Sequence, residues 1–244
     1  MGAAEEVKLL LPLLPLLLCA AATPRPTESF SDDFERGLCI GRCAGWNWPW
    51  WQEVDGTLDV VSNRGGRALR ARTQARGKRV PKAALVARPP KLRPGDTAEI
   101  GFDLLVPAGA PLNSIHLVDV ECASCGEEGN PGIRLYLRHG RLRIDRSKIR
   151  HADAWLDDRA PQLRHARWHR IELRVAVGFG DAGSALVRLD GRAVLKGSGD
   201  TVARPSGGAA AGADRIQIGL TASSNAGPAT VYIDNIRVAI ARRS

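Results

Sequence analysis

The sequence predicts an all-β fold, and three features of residues 168–195 support this. Apolar and polar side chains alternate along the first part of the segment, with the period of a half-buried strand. The apolar positions are Ile171, Leu173, Val175 and Val177, and the polar ones are Arg170, Glu172 and Arg174. A glycine-rich connection then turns the chain, and Asp190-Gly191 favours a tight hairpin turn. Three antiparallel strands within about thirty residues indicate packed β-sheets.

Similar alternation predicts the other strands in chain order. They are expected at residues 58–62, 68–72, 82–88, 97–106, 113–121, 216–221 and 231–238, with a hairpin over 132–148. Pro107 ends one strand because it has no amide hydrogen. In segment 113–121 we expect His116, Val118 and Val120 on one face and Leu117, Asp119 and Glu121 on the other. Neither face is purely apolar, so this strand is expected to present polar groups to a cleft or a loop end.

Several motifs resemble the concanavalin-like jelly-roll superfamily, which includes laminin-G-like modules and heparin-lyase-I-type polysaccharide lyases. They are Trp168-His169 at a strand start, the Asp190-Gly191 hairpin, the strand 216–221, the closing strand 231–238, and Asp33-Phe34-Glu35 followed by Gly37. The resemblance implies a two-sheet antiparallel jelly-roll sandwich. Because this fold hosts many functions, it does not by itself assign an activity.

The first 22 residues have the pattern of an export signal. A ten-residue apolar run, Leu9 to Leu18, precedes small residues that suit cleavage after Ala22, and the run is too short to span a bilayer. A lipid anchor at Cys19 is the alternative, although Leu18 stands where a small residue would be expected. Residues 23–29 are interpreted as a linker and 30–241 as one sandwich domain. The protein is therefore expected to be secreted, periplasmic or attached to the cell envelope, and not an integral membrane protein.

Four cysteines would remain after cleavage: Cys39, Cys43, Cys122 and Cys125. An even number in an oxidising compartment predicts two disulfides, whose connectivity the sequence leaves open. The alternative is a zinc site with four thiolate ligands, because C-x-x-C has ligand spacing.

The formal net charge is +9, and arginine supplies 29 of the 35 basic residues. The planar guanidinium group suits carboxylate, sulfate or phosphate, so the predicted partner is an acidic polysaccharide. The alternative is that the charge only maintains solubility. Export argues against a nucleic acid partner. No cofactor is expected, although Asp119 or Asp234 could help to bind a structural calcium ion.

The hairpin over 132–148 is the main candidate site. If His139-Gly140 forms a two-residue turn, Arg138 pairs with Arg141, Tyr136 with Arg143, and Arg134 with Asp145. One face then carries four arginines around a tyrosine, and the other carries Leu135, Leu137, Leu142 and Ile144 towards the core. A bound anion would relieve the repulsion between Arg138 and Arg141. The alternative is a solvated face, with its charges partly offset by Asp145.

Tryptophans offer a second candidate surface. Trp46, Trp48, Trp50 and Trp51 lie within six residues, and exposed indoles such as Trp48 and Trp50 could stack on sugar rings. Alternatively, they cover one end of the core.

Three functions fit these features. The first is a secreted module that binds acidic glycans through Arg134, Tyr136, Arg138, Arg141, Arg143 and Lys148. The second is a lyase that performs β-elimination on uronic-acid polymers. The resemblance to heparin-lyase-I-type enzymes implies a histidine base and a tyrosine, for which His116 and Tyr136 are the nearest matches, with Arg134 beside them and Lys148 as a further candidate. The lyase pattern is incomplete, since no glutamine neighbours His116 in sequence. The third function is an envelope or adhesion protein that binds another protein.

Other reactions lack their motifs. The chain has no P-loop, dinucleotide fingerprint, G-x-S-x-G or H-E-x-x-H sequence. It also has no E-x-D-x-x-E strand to supply the two carboxylates of a laminarinase-type glycosidase.

Overall fold

The computed structural model describes residues 28–41, 48–63, 65–125, 129–204 and 210–243. The predicted signal peptide, Cys19 and most of the predicted linker lie outside the described residues. The described segments form antiparallel strands with two short 3-10 turns, Ser147–Ile149 and Gly180–Ala182. No helix among them is long and apolar enough to cross a membrane.

The connections between strands range from one residue, between β2 and β3, to 22 residues, between β9 and β10. They are β1 Glu28–Asp32, β2 Trp50–Val54, β3 Gly56–Asn63, β4 Gly66–Thr73, β5 Lys82–Ala87, β6 Thr97–Leu105, β7 Ile115–Glu121, β8 Gly132–Arg138, β9 Arg141–Asp145, β10 Trp168–Ala176, β11 Ser184–Leu189, β12 Arg192–Ser198, β13 Arg215–Ser223 and β14 Ala229–Ala241.

These strands make two antiparallel sheets. The eight-stranded sheet has the order β12-β11-β10-β6-β14-β4-β3, with β1 also paired to β14. The six-stranded sheet has the order β2-β5-β13-β7-β8-β9. Alternate side chains of both sheets form one apolar core, which includes Leu69, Phe102, Leu135, Ile171 and Ile218. The predicted all-β, two-sheet antiparallel sandwich is confirmed.

Two strands were not predicted. β1 begins at Glu28, inside the segment interpreted as a linker, and pairs with the second half of β14. β2 lies within the tryptophan-rich stretch and forms the edge of the six-stranded sheet beside β5. Phe30 is the one apolar residue of β1, and Trp50 and Trp51 are adjacent in β2, so neither sequence alternates clearly.

A β-bulge in β7 explains why this strand has an ambiguous pattern. Its pairing with β8 shifts between His116 and Val118, which leaves Leu117 as the extra residue. Leu117 and Val118 are therefore both buried in the core, while His116, Asp119 and Glu121 lie on the outer face. The expected grouping of His116 with Val118 and Val120 is wrong because the extra residue reverses the alternation.

The hairpin of β8 and β9 has the predicted register. Arg134 pairs with Asp145, Tyr136 with Arg143, and Arg138 with Arg141. His139 and Gly140 both have positive φ, 51° and 73°, as a tight two-residue turn requires. The four predicted core residues of the hairpin are buried.

Neighbouring loops hold this turn on two sides. The backbone N–H of Gly140 donates to the carbonyl of Leu112 at 2.7 Å, and the N–H of His139 donates to Asn113 Oδ1 at 3.0 Å. The N–H of Leu163 donates to the carbonyl of Gly140 at 2.8 Å. The turn is therefore anchored to the loops on both sides of the hairpin and is not a free tip.

The Trp168-His169 and Asp190-Gly191 motifs meet in space and have a structural role. The backbone N–H of Arg164 donates to Nε2 of His169 at 3.0 Å, so Nδ1 carries the proton and donates to Asp190 Oδ2 at 2.9 Å. The carboxylate of Asp190 also accepts the N–H of Arg170. Together these bonds join the loop before β10 to the β11–β12 turn.

We expect the substitution Gly140→Ala to destabilise the fold by about 1–2 kcal/mol, because an L-residue disfavours a left-handed φ. Its Cβ would also lie 3.2 Å from Cβ of Gln162. The midpoint of urea denaturation measures the effect. Gly77→Ala is the matched control, because nothing lies within 4 Å of its Cβ position. Equal midpoints for the two variants would contradict the constraint at the turn.

Candidate active site on the six-stranded sheet

The outer face of the six-stranded sheet carries polar and charged side chains. Strand register brings together residues that are distant in sequence, on four neighbouring strands. They include Lys82, Gln217, Thr221, His116, Asp119, Glu121, Arg134 and Tyr136. Polar groups that converge on one surface are typical of ligand sites.

His116 and Tyr136 form the centre of this surface. They are cross-strand partners on β7 and β8, and their ring centroids are 5.3 Å apart. The two rings line a pocket of about 350 Å³. We call it the His–Tyr pocket, and its lining residues are Asn113, Ser114, His116, Tyr136, Arg138, His139 and Ser224.

His116 is held in its neutral form. Burial, and then the positive charge of Arg134, lower its pKa from 6.5 to about 4. The imidazole is therefore neutral at neutral pH. Its Nδ1 is buried and has no hydrogen-bond partner among the residues that the structure describes. Buried polar atoms are normally paired, so this nitrogen is an exception that a ligand or a water molecule could satisfy.

Two buried carboxylates lie beside the pocket residues. Asp119 and Glu121 are both almost completely buried, and Nε2 of Gln217 donates to Glu121 Oε2 at 2.9 Å and to Asp119 Oδ2 at 3.2 Å. Thr221 Oγ1 donates to Asp119 Oδ1 at 2.8 Å. Burial, and then the charge of Glu121, raise the pKa of Asp119 to about 6.

Basic side chains surround these carboxylates. Lys148 forms an ion pair with Glu121, and Nε of Arg215 lies 3.7 Å from the same carboxylate. Lys82 is half-buried, and burial lowers the pKa of its amine. Lys148 was expected to bind a ligand, but its amine already has a partner. A ligand would have to compete with Glu121 for it.

The hairpin arginines do not form a single free cluster. Arg134 pairs with Asp145, Arg143 Nη2 donates to Asp158 at 2.8 Å, and Arg141 Nε donates to the carbonyl of Ala160 at 2.9 Å. Arg138 is exposed and lines the His–Tyr pocket. Its side chain has no hydrogen bond or ion pair within the described part of the chain. The repulsion between Arg138 and Arg141 is reduced because Arg141 is hydrogen-bonded to the neighbouring loop, so no bound anion is required for it.

The tryptophans differ in exposure. Trp48 is 3% exposed, donates from Nε1 to Asp32 Oδ2 at 2.6 Å and packs edge-on against Phe30. The expectation that Trp48 stacks on a sugar is wrong, because its indole belongs to the core. Trp50 is half-buried, with the guanidinium of Arg88 4.2 Å from its ring centroid. Trp51 is exposed, and Trp46 lies outside the described residues.

Several pocket residues were missed by sequence reasoning. Asn113, Ser114 and Ser224 come from the loops that precede β7 and follow β13. A glutamine does lie near the candidate residues, since Gln217 is opposite Asp119, but it is on a neighbouring strand. Only the pairing of β7 with β13 could reveal it, because about a hundred residues separate the two strands.

Cys122 and Cys125 form a disulfide. Because both cysteines are used in this bond, neither can form a cross-link to the N-terminal cysteines. A zinc site with four thiolate ligands is excluded for the same reason. Cys39 is disulfide-bonded as well, and Cys43 lies outside the described residues. No group of three or more histidine, cysteine or acidic side chains in the described ranges is arranged to hold a metal ion. A structural calcium ion stays a prediction.

Known structures share this fold. An endo-β-1,4-glucuronan lyase from the fungus Trichoderma reesei superimposes with a TM-score of 0.58 at 16% identity, over 80% of this chain and 91% of the other. A cellulose-induced protein, Cip1, gives 0.55 at 14% identity, over 88% and 97%. An alginate lyase of polysaccharide lyase family 7 gives 0.53 at 14% identity, over 78% and 85%. No family model and no curated protein matches the sequence. The chain thus shares a jelly-roll sandwich with polysaccharide lyases, and a kinship with laminin-G-like modules stays a prediction.

The pKa of His116 predicts a specific effect of pH on stability. Between pH 6.5 and about 4 the unfolded chain binds a proton that the folded protein excludes, so this residue lowers stability as the pH falls. The full difference corresponds to about 3 kcal/mol. We expect His116→Asn to gain about this much free energy of unfolding, relative to the original protein, between pH 7 and pH 4.

Urea denaturation at several pH values measures this difference, and the contribution of Asp119 cancels because both proteins contain it. His139→Asn is the control, since His139 lies in an exposed turn whose positive φ suits asparagine. Parallel pH profiles for His116→Asn and the original protein would refute the buried, neutral imidazole.

Proposed function

We propose that the protein is an exported polysaccharide lyase that performs β-elimination on an acidic polymer of uronic acids in the His–Tyr pocket. The observation that carries this proposal is the buried, neutral His116 beside Tyr136, with Arg138, which has no partner among the described residues, in the same pocket. The shared fold with glucuronan and alginate lyases supports the substrate class. Export agrees with the Cys122–Cys125 disulfide, since disulfides persist in oxidising compartments.

Arg138 would bind the carboxylate of the uronate. Its guanidinium can form two parallel hydrogen bonds with a planar carboxylate. Neutralising this charge makes the hydrogen on C5 more acidic, because the carbanion that develops there delocalises into the carboxyl group. Arg134 contributes positive charge beside His116, although its direct contacts are with Asp145 and Ser147.

His116 would remove the C5 proton, and Tyr136 would act as the acid. As the C5–H bond breaks, its electron pair forms the C4=C5 double bond and the C4–O bond is cleaved. The tyrosine hydroxyl gives its proton to the departing glycosidic oxygen. The imidazolium and the phenolate are then neutralised by proton exchange with solvent. No water is added, so one product carries an unsaturated uronate at its new end.

A bound substrate would also strengthen the base. The low pKa of His116 in the free protein makes it a weak proton acceptor. A uronate carboxylate in the pocket raises this pKa, because a nearby negative charge favours the imidazolium. The weak base in the free protein is also the observation that favours the second candidate, a module that binds acidic glycans through Arg138 and Tyr136 without cleaving them.

Polyglucuronate and alginate test the reaction directly, through the ultraviolet absorbance of the unsaturated uronate. We expect activity with one of these polymers, and a loss of about 10²-fold or more in His116→Ala and in Tyr136→Phe, as is usual when a general base or acid is removed. Arg138→Ala should lower kcat/KM, with partial rescue in Arg138→Lys.

Arg192→Ala is the matched control, because it removes one exposed arginine from β12, in the other sheet. It should retain full activity. Binding of the polymers without any absorbance change would replace the lyase with the binding module. Equal losses in Arg192→Ala and Arg138→Ala would show that only net charge matters.

A further inference from the structure

A larger pocket lies on the opposite face of the sandwich. It has a volume of about 870 Å³ and a floor made by outward-facing residues of β3, β4 and β14 in the eight-stranded sheet. We call it the Arg72 pocket. The floor residues are Thr57, Arg70, Arg72, Thr230 and Tyr232.

Strand register arranges these residues in two rows. Arg72 lies between Thr57 and Thr230 in one row. In the next row Arg70 lies between Asp59 and Tyr232, and it forms an ion pair with Asp59. Arg72 is exposed, and its side chain has no partner in the described ranges. Arg70 is therefore held by a carboxylate of the protein, whereas Arg72 is available to bind a carboxylate of a ligand.

The remaining chemistry of the pocket suits an acidic sugar. Two threonine hydroxyls can exchange hydrogen bonds with sugar hydroxyls, the ring of Tyr232 offers a stacking face, and Arg72 can hold a carboxylate.

Two loops connect this pocket to the His–Tyr pocket. The loop between β6 and β7 lines the Arg72 pocket with Pro107 to Ala110 and the His–Tyr pocket with Asn113 and Ser114. The loop between β13 and β14 contributes Ser224 to one pocket and Pro228 to the other. Both loops therefore pass from one sheet to the other between the pockets.

Hydrogen bonds join the two loops into one rim. The N–H of Ser224 donates to the carbonyl of Ser114 at 3.0 Å, and Asn225 Nδ2 donates to the carbonyl of Asn113 at 2.8 Å. The two pockets therefore lie on the two sides of the same rim.

The basic segment Arg76-Gly77-Lys78-Arg79 is attached to this rim. The N–H of Arg76 donates to the carbonyl of Asn225 at 2.8 Å, and Arg79 pairs with Asp55, which lines the Arg72 pocket. The side chains of Arg76 and Lys78 are exposed. Positive charge thus continues from the Arg72 pocket along the rim and favours a polyanion that runs over it.

We propose that the Arg72 pocket is an auxiliary binding site for acidic polysaccharide, and that one polymer chain crosses the rim and occupies both pockets. The identity of the polymer rests on the proposed function, whereas the binding at Arg72 does not require catalysis. Occupying both pockets with one chain makes the second contact intramolecular, which raises affinity for long chains only. A short oligosaccharide can fill one pocket at a time.

The double substitution Arg72→Ala with Tyr232→Ala tests the site. We measure affinity for polyglucuronate and alginate at low salt, by retardation in gels that contain the polymer, and affinity for uronate trisaccharides by calorimetry. We expect at least tenfold weaker binding of the polymer and unchanged binding of the trisaccharide at the His–Tyr pocket. Arg138→Ala should weaken both. Arg72→Ala alone provides the same comparison if the double variant folds poorly.

Arg192→Ala again controls for charge, since it removes one exposed arginine from the same sheet at a distant edge. Equal retardation of Arg72→Ala and Arg192→Ala would overturn the auxiliary site, and so would a failure of the original protein to bind either polymer. If the Arg72 variants weakened the binding of the trisaccharide and of the polymer equally, the proposal that one polymer chain occupies both pockets would be wrong. If polymer binding depends on Arg72 but no unsaturated product ever forms, the proposed reaction fails while the auxiliary site stands.

Discussion

A single extra residue in β7 determines which side chains can act together. Without the bulge at Leu117, strict alternation would put His116 on the opposite face of the sheet from Asp119 and Glu121. With the bulge, His116 joins them on the outer face, beside Tyr136 of β8. The bulge also maintains the packing of the core, because Leu117 and Val118 can both point inward. The candidate chemistry and the packing of the strand thus depend on the same local irregularity.

The buried carboxylates impose a second constraint. Ionised Asp119 and Glu121 so close together would be costly without compensating charges and donors. Gln217 bridges them, Lys148 and Arg215 offset the charge of Glu121, and the raised pKa of Asp119 shows that the compensation is incomplete. On the same face, burial and the positive charges of Arg134, Lys148 and Lys82 lower the pKa of His116. The ionisation of His116 and of Asp119 is therefore set by burial and by neighbouring charges on one surface.

The sequence predicted most strands because their alternation is local, and it predicted the register of the β8–β9 hairpin because a two-residue turn leaves one pairing. It could not predict the bulge, since an extra residue resembles an ordinary break in the pattern. Nor could it show that Arg141 and Arg143 already have partners, because Asp158 and Ala160 lie in a loop without periodicity. The burial of Trp48 depends on Asp32 and Phe30 of β1, a strand that was itself missed. Contacts between elements distant in sequence account for each of these differences.

The anchored turn at His139 and Gly140 has a consequence for selectivity. Because loops on both sides fix the backbone of the turn, the main chain of the preceding residue, Arg138, has little conformational entropy left to lose when a ligand binds its guanidinium. The planar guanidinium fork matches an acceptor group that is also planar. A uronate carboxylate offers two coplanar oxygens to such a fork, whereas the oxygens of a sulfate ester are arranged tetrahedrally. If the proposed site binds a polyanion, its geometry therefore favours carboxylates over sulfates of the same charge.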